Sequence, residues 1–138
     1  MKHKSCSTLK LLYVLSVLSL FLPWFTYNAS IMGYCRGIEF LPFFLIPFCI
    51  SAFFLFKFRG STLWGVLCQA SALADVGILV YILGFWQKHH NIRDGFQLTD
   101  GLHTAQAGFW LAVGLHTTFL ILLTVSLLGK RETGEVSE

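Results

Sequence analysis

Four long stretches of this chain carry almost no charge, and that constrains its fold more than any other feature. Leu11 to Cys35 and Phe40 to Phe56 contain no Asp, Glu, Lys or Arg; Gly60 to Gln87 contains only Asp75, and Gly101 to Gly129 contains none. A helix rises about 1.5 Å per residue, so about 20 apolar residues cross a hydrocarbon layer roughly 30 Å thick. Four such runs use most of the 138 residues. Composition agrees: charged residues make up 12% of the chain, against roughly 25% in a soluble domain that must solvate its surface. With 55% hydrophobic residues and a mean hydropathy of +0.67, the outside is expected to face lipid.

The expected fold class is therefore all-α: a polytopic integral membrane protein, one domain over 1–138, built as an antiparallel bundle of four transmembrane helices. The spans read about 9–26, 40–58, 62–86 and 104–128, with a short polar tail at 130–138. Pro23 falls in the last turn of the first span, and Trp24 and Tyr27 suit an interfacial aromatic belt. Pro42 sits in the first turn of the second span, where its missing N–H costs little, and Pro47 lies deeper and is expected to kink the helix. Outside the lipid remain two outer loops, Asn28 to Ile38 and Gln87 to His103, and a tight inner turn from Lys57 to Ser61. Asp94-Gly95 and Asp100-Gly101 read as turns.

The positive charges set the orientation. With the N-terminus in the cytoplasm, the inner segments hold Lys2, Lys4, Lys10, Lys57, Arg59, Lys130 and Arg131, and the outer ones only Arg36, Lys88 and Arg93. That bias predicts both termini inside, in the plasma membrane. It also accounts for the net charge of +3 without nucleic acid, which would need a clustered basic face. The basic Met1 to Lys10 followed by Leu11 to Leu22 also has the shape of a secretory signal peptide. However, the apolar stretch runs on through Trp24-Phe25, and Asn28 is a poor substitute for the small residue of a cleavage site. A retained helix is expected.

Asp75 is the most informative polar residue, because an ionised carboxylate at mid-span costs about 2.5–3.5 kcal/mol even on insertion scales. Counting along antiparallel helices puts it level with His116, within about one residue or 1.5 Å. Cys68, Ser71 and Ala72 on the third span, and Gly108 and Ala112 on the fourth, recur at helical spacing and predict a close-packed seam around that pair. The seam reads either as a simple hydrogen bond joining helices or as a proton-titrating dyad.

The second outer loop offers His89, His90, Asp94 and His103, donor types that suit a first-row metal. Their spacing matches no closed zinc pattern and the loop has no Cys, so no metal centre or cofactor is expected. A b-type haem needs facing histidines on two helices, and among the spans only the fourth contains His. The four cysteines form no C-x-x-C; Cys35 alone stands outside, as a free thiol expected to react with an impermeant reagent. The sequon Asn28-Ala29-Ser30 lies too near a helix end for ready glycosylation. The phenylalanines between Phe40 and Phe58 read as lipid contact and packing.

These features lead to the expectation of a small non-enzymatic membrane protein that works through contacts in the bilayer, as an accessory subunit, assembly factor or immunity-type protein. Its partners would be the lipid bilayer and another membrane protein or a second copy of itself. The alternative is a homo-oligomeric ion channel or proton-coupled transporter using Asp75 and His116.

Overall fold

The computed structural model describes residues 2–27, 33–57, 62–90, 92 and 95–132. The sequon, the turn at 58–61, Arg93 and Asp94, and the tail beyond Glu132 lie outside the described residues. The elements run in the order α1 (Lys2–Ser19), β1 (Pro23–Thr26), β2 (Tyr34–Arg36), a 3-10 turn (Gly37–Phe40), α2 (Leu41–Phe56), α3 (Thr62–His89), α4 (Leu98–Thr104) and α5 (Ala107–Glu132). The chain is mostly helical. Three helical segments are long and apolar enough to cross a membrane (Gly37–Phe56, Leu63–Lys88 and Ala107–Gly129), and Ser7–Ser19 is a shorter apolar helix.

The first span departs most from expectation. Its helix stops at Ser19, and the stretch read as the last helical turns becomes a strand. Local chemistry explains the stop. The hydroxyls of Ser16 and Ser19 bond back to the Leu12 and Ser16 carbonyls. The next three amides, Leu20, Phe21 and Leu22, reach only three residues back, in the tighter turns that close helix ends. Pro23 then has no amide to donate, and it drives Leu22 towards extended backbone. Pro23 opens β1, a strand position that proline tolerates. β1 pairs antiparallel with β2, Phe25 opposite Cys35 and Thr26 opposite Tyr34, with an irregularity in the register between Pro23 and Phe25. The fold is thus not purely α. Pairing in a hairpin satisfies backbone groups of this non-helical stretch from within the chain.

β1 is bonded along its other edge too. Phe25 bridges to Ala105, and the Gln106 amide donates to the Trp24 carbonyl at 2.8 Å. The strand therefore ties the end of the first helical segment to the start of the last. Trp24 and Phe25 are both fully buried, which corrects the interfacial-belt reading of Trp24: its indole N–H donates inward to the Ser19 carbonyl at 3.0 Å.

The cap this makes is aromatic. Phe25 stacks on Trp86 with centroids 4.9 Å apart and planes 5° from parallel, and it meets Phe109 at 4.9 Å. Trp24 stands edge-on to Phe109 and Phe44 and lies against Phe40. A second cluster at the opposite end gathers Leu9, Phe54, Leu55, Cys68, Ala72, Phe119 and Leu123. Between them α1 lies against α5 and α2, and α3 lies against α2 and α5. Phe40, Phe44, Phe48 and Phe54 turn inward, whereas Phe43, Phe53 and Phe56 remain exposed. Lys10 Nζ lies 4.9 Å from the Phe56 ring centroid, so the early part of α1 sits beside the end of α2.

The segment read as the second loop, Gln87 to His103, is also more ordered than expected. α3 runs on to His89, and residues 98–104 form a helix, so Asp100-Gly101 is helical and not a turn. Gly95 has φ +89 and supplies the reversal before that helix. The Gln97 amide donates to the Gly84 carbonyl at 2.8 Å, and Gly101 lies directly on the Leu83 carbonyl. That contact is backbone against backbone. Gly101→Ala should therefore cost about 1–3 kcal/mol by forcing α4 off α3. Gly114→Ala, which meets open space in α5, should instead gain up to about 1 kcal/mol from helix propensity. Thermal unfolding in detergent compares the two, and shifts of equal sign would contradict the α4 docking.

Candidate functional site: a cysteine, glutamate and histidine cluster under the hairpin

The hairpin brings together residues that lie far apart in sequence. β2 places Cys35 inward, fully buried under Phe25. Four residues on, the 3-10 turn returns Glu39 to the same side, and its Oε1 accepts the Arg36 amide at 2.8 Å. At the end of α3, one residue beyond the helix, His90 inserts its ring between them. Its Nε2 lies 3.3 Å from Cys35 Sγ and 3.5 Å from Glu39 Oε2, and its Nδ1 lies 3.3 Å from the Tyr27 hydroxyl. Edge-on contacts with Tyr27, Phe40 and Trp86 fix the plane of the imidazole.

Electrostatics keeps the two acidic neighbours protonated. Burial, then the Glu39 charge, pushes the Cys35 thiol up to about 12, and burial followed by the Cys35 charge raises the Tyr27 phenol to about 12. A protonated phenol can donate to Nδ1, which leaves an N–H on Nε2 to face Glu39 and Cys35. The expectation that Cys35 is a reactive external thiol is thereby corrected, since the side chain is enclosed and holds its proton. At pH 7.5 its thiolate fraction should be about a thousand-fold below that of an ordinary thiol of pKa near 8.5. Alkylation of folded and detergent-unfolded protein by a maleimide, followed by mass spectrometry, measures the difference. Rapid labelling of Cys35 in the folded state would contradict this burial.

Of the metal-donor candidates among the described residues, the structure brings His90 into a cluster. His103 is exposed on α4, and Asp94 and the His89 side chain lie outside the described residues. The partners of His90, which are Tyr27, Cys35 and Glu39, come from the segment that connects α1 to α2. A Cys and a Glu four residues apart across a strand end was the signal available in the sequence. Its relevance depended on a hairpin that hydropathy does not display.

Asp75 and His116 are both buried. His116 Nδ1 faces the Ala112 carbonyl of its own helix at 2.8 Å, and the ring stacks on Phe48, 5.9 Å away and 21° from parallel. Among the described residues, neither Asp75 Oδ1 nor His116 Nε2 has a hydrogen-bond partner. The bond that α3 and α5 do make joins Gln69 Nε2 to Thr124 Oγ1 at 3.0 Å, and it went unread in the sequence. Cys68 reaches Ser51 on α2 at 3.8 Å, and Ser71 bonds its own helix at Leu67. Cys68 and Ala72 belong to the cluster with Phe119 and Leu123 of α5, and Ala112 belongs to the aromatic cap. Gly108 lies elsewhere than the expected seam, pressed against Leu22 and the Pro23 carbonyl. The turn forced by Pro23 occupies the face where α3 was expected.

The chain matches no family model, no curated protein and no solved structure.

Proposed function

We propose that this chain is a plasma-membrane protein whose four long helices form an antiparallel transmembrane bundle with both termini cytoplasmic. It acts without catalysis, by lateral contact with another membrane protein, as an accessory subunit, assembly factor or immunity-type protein. The observation that carries this reading is the outer face of α3. Leu63, Val66, Leu67, Ala70, Leu73, Ala74, Gly77, Val80 and Tyr81 are all exposed, on the side opposite Cys68, Ser71, Ala72, Asp75 and Leu79. In its centre Ala70, Ala74 and Gly77 recur at four- and three-residue spacing, and a Cβ at Gly77 would meet open space. Small residues facing lipid at this spacing let a second helix approach closely, where van der Waals contact replaces the missing hydrophobic drive. The aromatic cap supports the same reading, because it fills the interior at one end and leaves the outer surface as the place to act.

Purification in mild detergent tests it. A stoichiometric foreign partner is expected, lost in Ala74→Leu/Gly77→Leu and kept in Leu73→Ala. Recovery as a homo-oligomer alone would shift the balance to a second reading, a channel or proton-coupled transporter assembled from several copies. The orphaned Asp75 Oδ1 and His116 Nε2 favour that alternative, since buried polar atoms without partners are uncommon and call for a reason. Under it, Asp75→Asn should assemble normally yet abolish pH-dependent flux in reconstituted vesicles.

A further inference from the structure

The geometry assigns a binding site for one divalent transition cation of the zinc class to Cys35, Glu39 and His90. The ligand atoms of these three side chains all lie within 4.8 Å of one another. Tetrahedral zinc with bonds of about 2.0–2.3 Å sets its ligand atoms about 3.3–3.6 Å apart. The observed separations of 3.3 Å from His90 Nε2 to Cys35 Sγ, and 3.5 Å to Glu39 Oε2, fall in that range. The third edge closes by rotation of Glu39, whose side chain is 36% exposed and forms the solvent side of the cluster.

Charge fits as well as distance. A thiolate, a carboxylate and a neutral imidazole cancel a divalent cation, so the filled site carries no net charge beside the aromatic cap. Binding breaks the Cys35 S–H bond and releases that proton to water. The imidazole stays neutral with its one N–H on Nδ1, facing the Tyr27 oxygen, so that Nε2 is free to form the nitrogen–metal bond beside the new sulfur–metal bond. No electron changes hands. Sulfur, nitrogen and oxygen donors together suit zinc better than magnesium or calcium, which prefer oxygen alone.

The surrounding contacts orient each ligand. Tyr27 stands at His90 Nδ1, where a hydroxyl holds a metal-bound imidazole in register, and the Arg36 amide occupies Glu39 Oε1 and leaves Oε2 for the ion. Such supporting contacts are worth roughly 10–100-fold in affinity. Three protein ligands leave a fourth position on the solvent side for water or for a group from a partner.

The test uses the full chain, purified without a histidine tag, stripped with chelator and titrated with Co²⁺, then with Zn²⁺ in competition. One metal per chain is expected, with a thiolate-to-cobalt charge-transfer band that Zn²⁺ removes and that Cys35→Ser lacks. Because Cys35 is packed in the interior and its replacement can unfold the hairpin, Glu39→Gln on the exposed side serves as a second variant. It should weaken binding at least about 10-fold, Tyr27→Phe should weaken it about 10-fold or more, and His103→Ala should leave it unchanged. Cobalt bound without a thiolate band would overturn the site, as would Glu39→Gln binding as tightly as the unmodified chain.

Discussion

Trp24→Ala is expected to cost about 3–5 kcal/mol, the usual toll for emptying a large aromatic site in a core. Few side chains here hold as much together. The indole is fully buried, lies against Phe40, meets Phe44 and Phe109 edge-on, and rests so closely on Gly37 that a Cβ there would strike it. It also supplies a donor for the Ser19 carbonyl at the end of α1. Truncation opens a cavity where β1, the 3-10 turn, α2 and α5 meet, and removes one of the two donors to that carbonyl, which keeps the Leu22 amide. Trp24→Phe separates the two contributions: most ring contacts survive and the lost bond should cost about 0.5–1.5 kcal/mol, because the carbonyl keeps its other donor. Unfolding in detergent, followed by circular dichroism, gives the order unmodified, Phe, Ala. An alanine variant within about 1 kcal/mol of the unmodified chain would mean that the hairpin is anchored elsewhere.

The second large effect has the opposite sign. Asp75→Val should stabilise the folded chain by about 1–3 kcal/mol, because it removes a buried carboxyl oxygen that has no hydrogen-bond partner among the described residues. Valine and aspartate have similar helix propensities, so the change isolates the polar group. The same variant would carry no pH-dependent flux if the protein is a transporter. Higher stability with lost flux marks a residue kept for work and not for folding. Lower stability would reveal a partner for Asp75 in the assembled protein, and would argue against an unsatisfied group.

How far the sequence could be read depended on the range of the interactions concerned. Helices α2 and α3 begin within a residue of expectation, because their bounds follow from local facts: Pro42 near a helix start, Thr62 shortly after the basic Lys57 and Arg59. The first span was misjudged because β1 exists only through partners at 34–36 and 105–106, and Trp24-Phe25 shows no alternation to announce a strand. Depth counting has a similar blind spot. It placed Asp75 and His116 at one level, but height along a helix does not fix the direction in which a side chain points. Gln69 and Asp75 are six residues apart, so they point roughly 120° apart around α3 at about 100° per residue, and Gln69 is the one seen to bond α5. The cysteine, glutamate and histidine cluster needed the α1–α2 connection and the end of α3 folded at once. His90 was visible as a donor; its company was not.

The double bonding of β1 bears on how the chain is made. As the helices enter a membrane in the order of synthesis, β1 and β2 can pair once residue 36 has emerged, but the Trp24 carbonyl waits for Gln106 and Phe25 waits for Ala105. Until α5 begins, an insertion intermediate presents an open strand edge beside an apolar boundary, where unpaired backbone is costly. The start of α5 therefore seals the strand that follows α1, and nascent chains halted before residue 105 are the form in which a membrane chaperone would find something to hold.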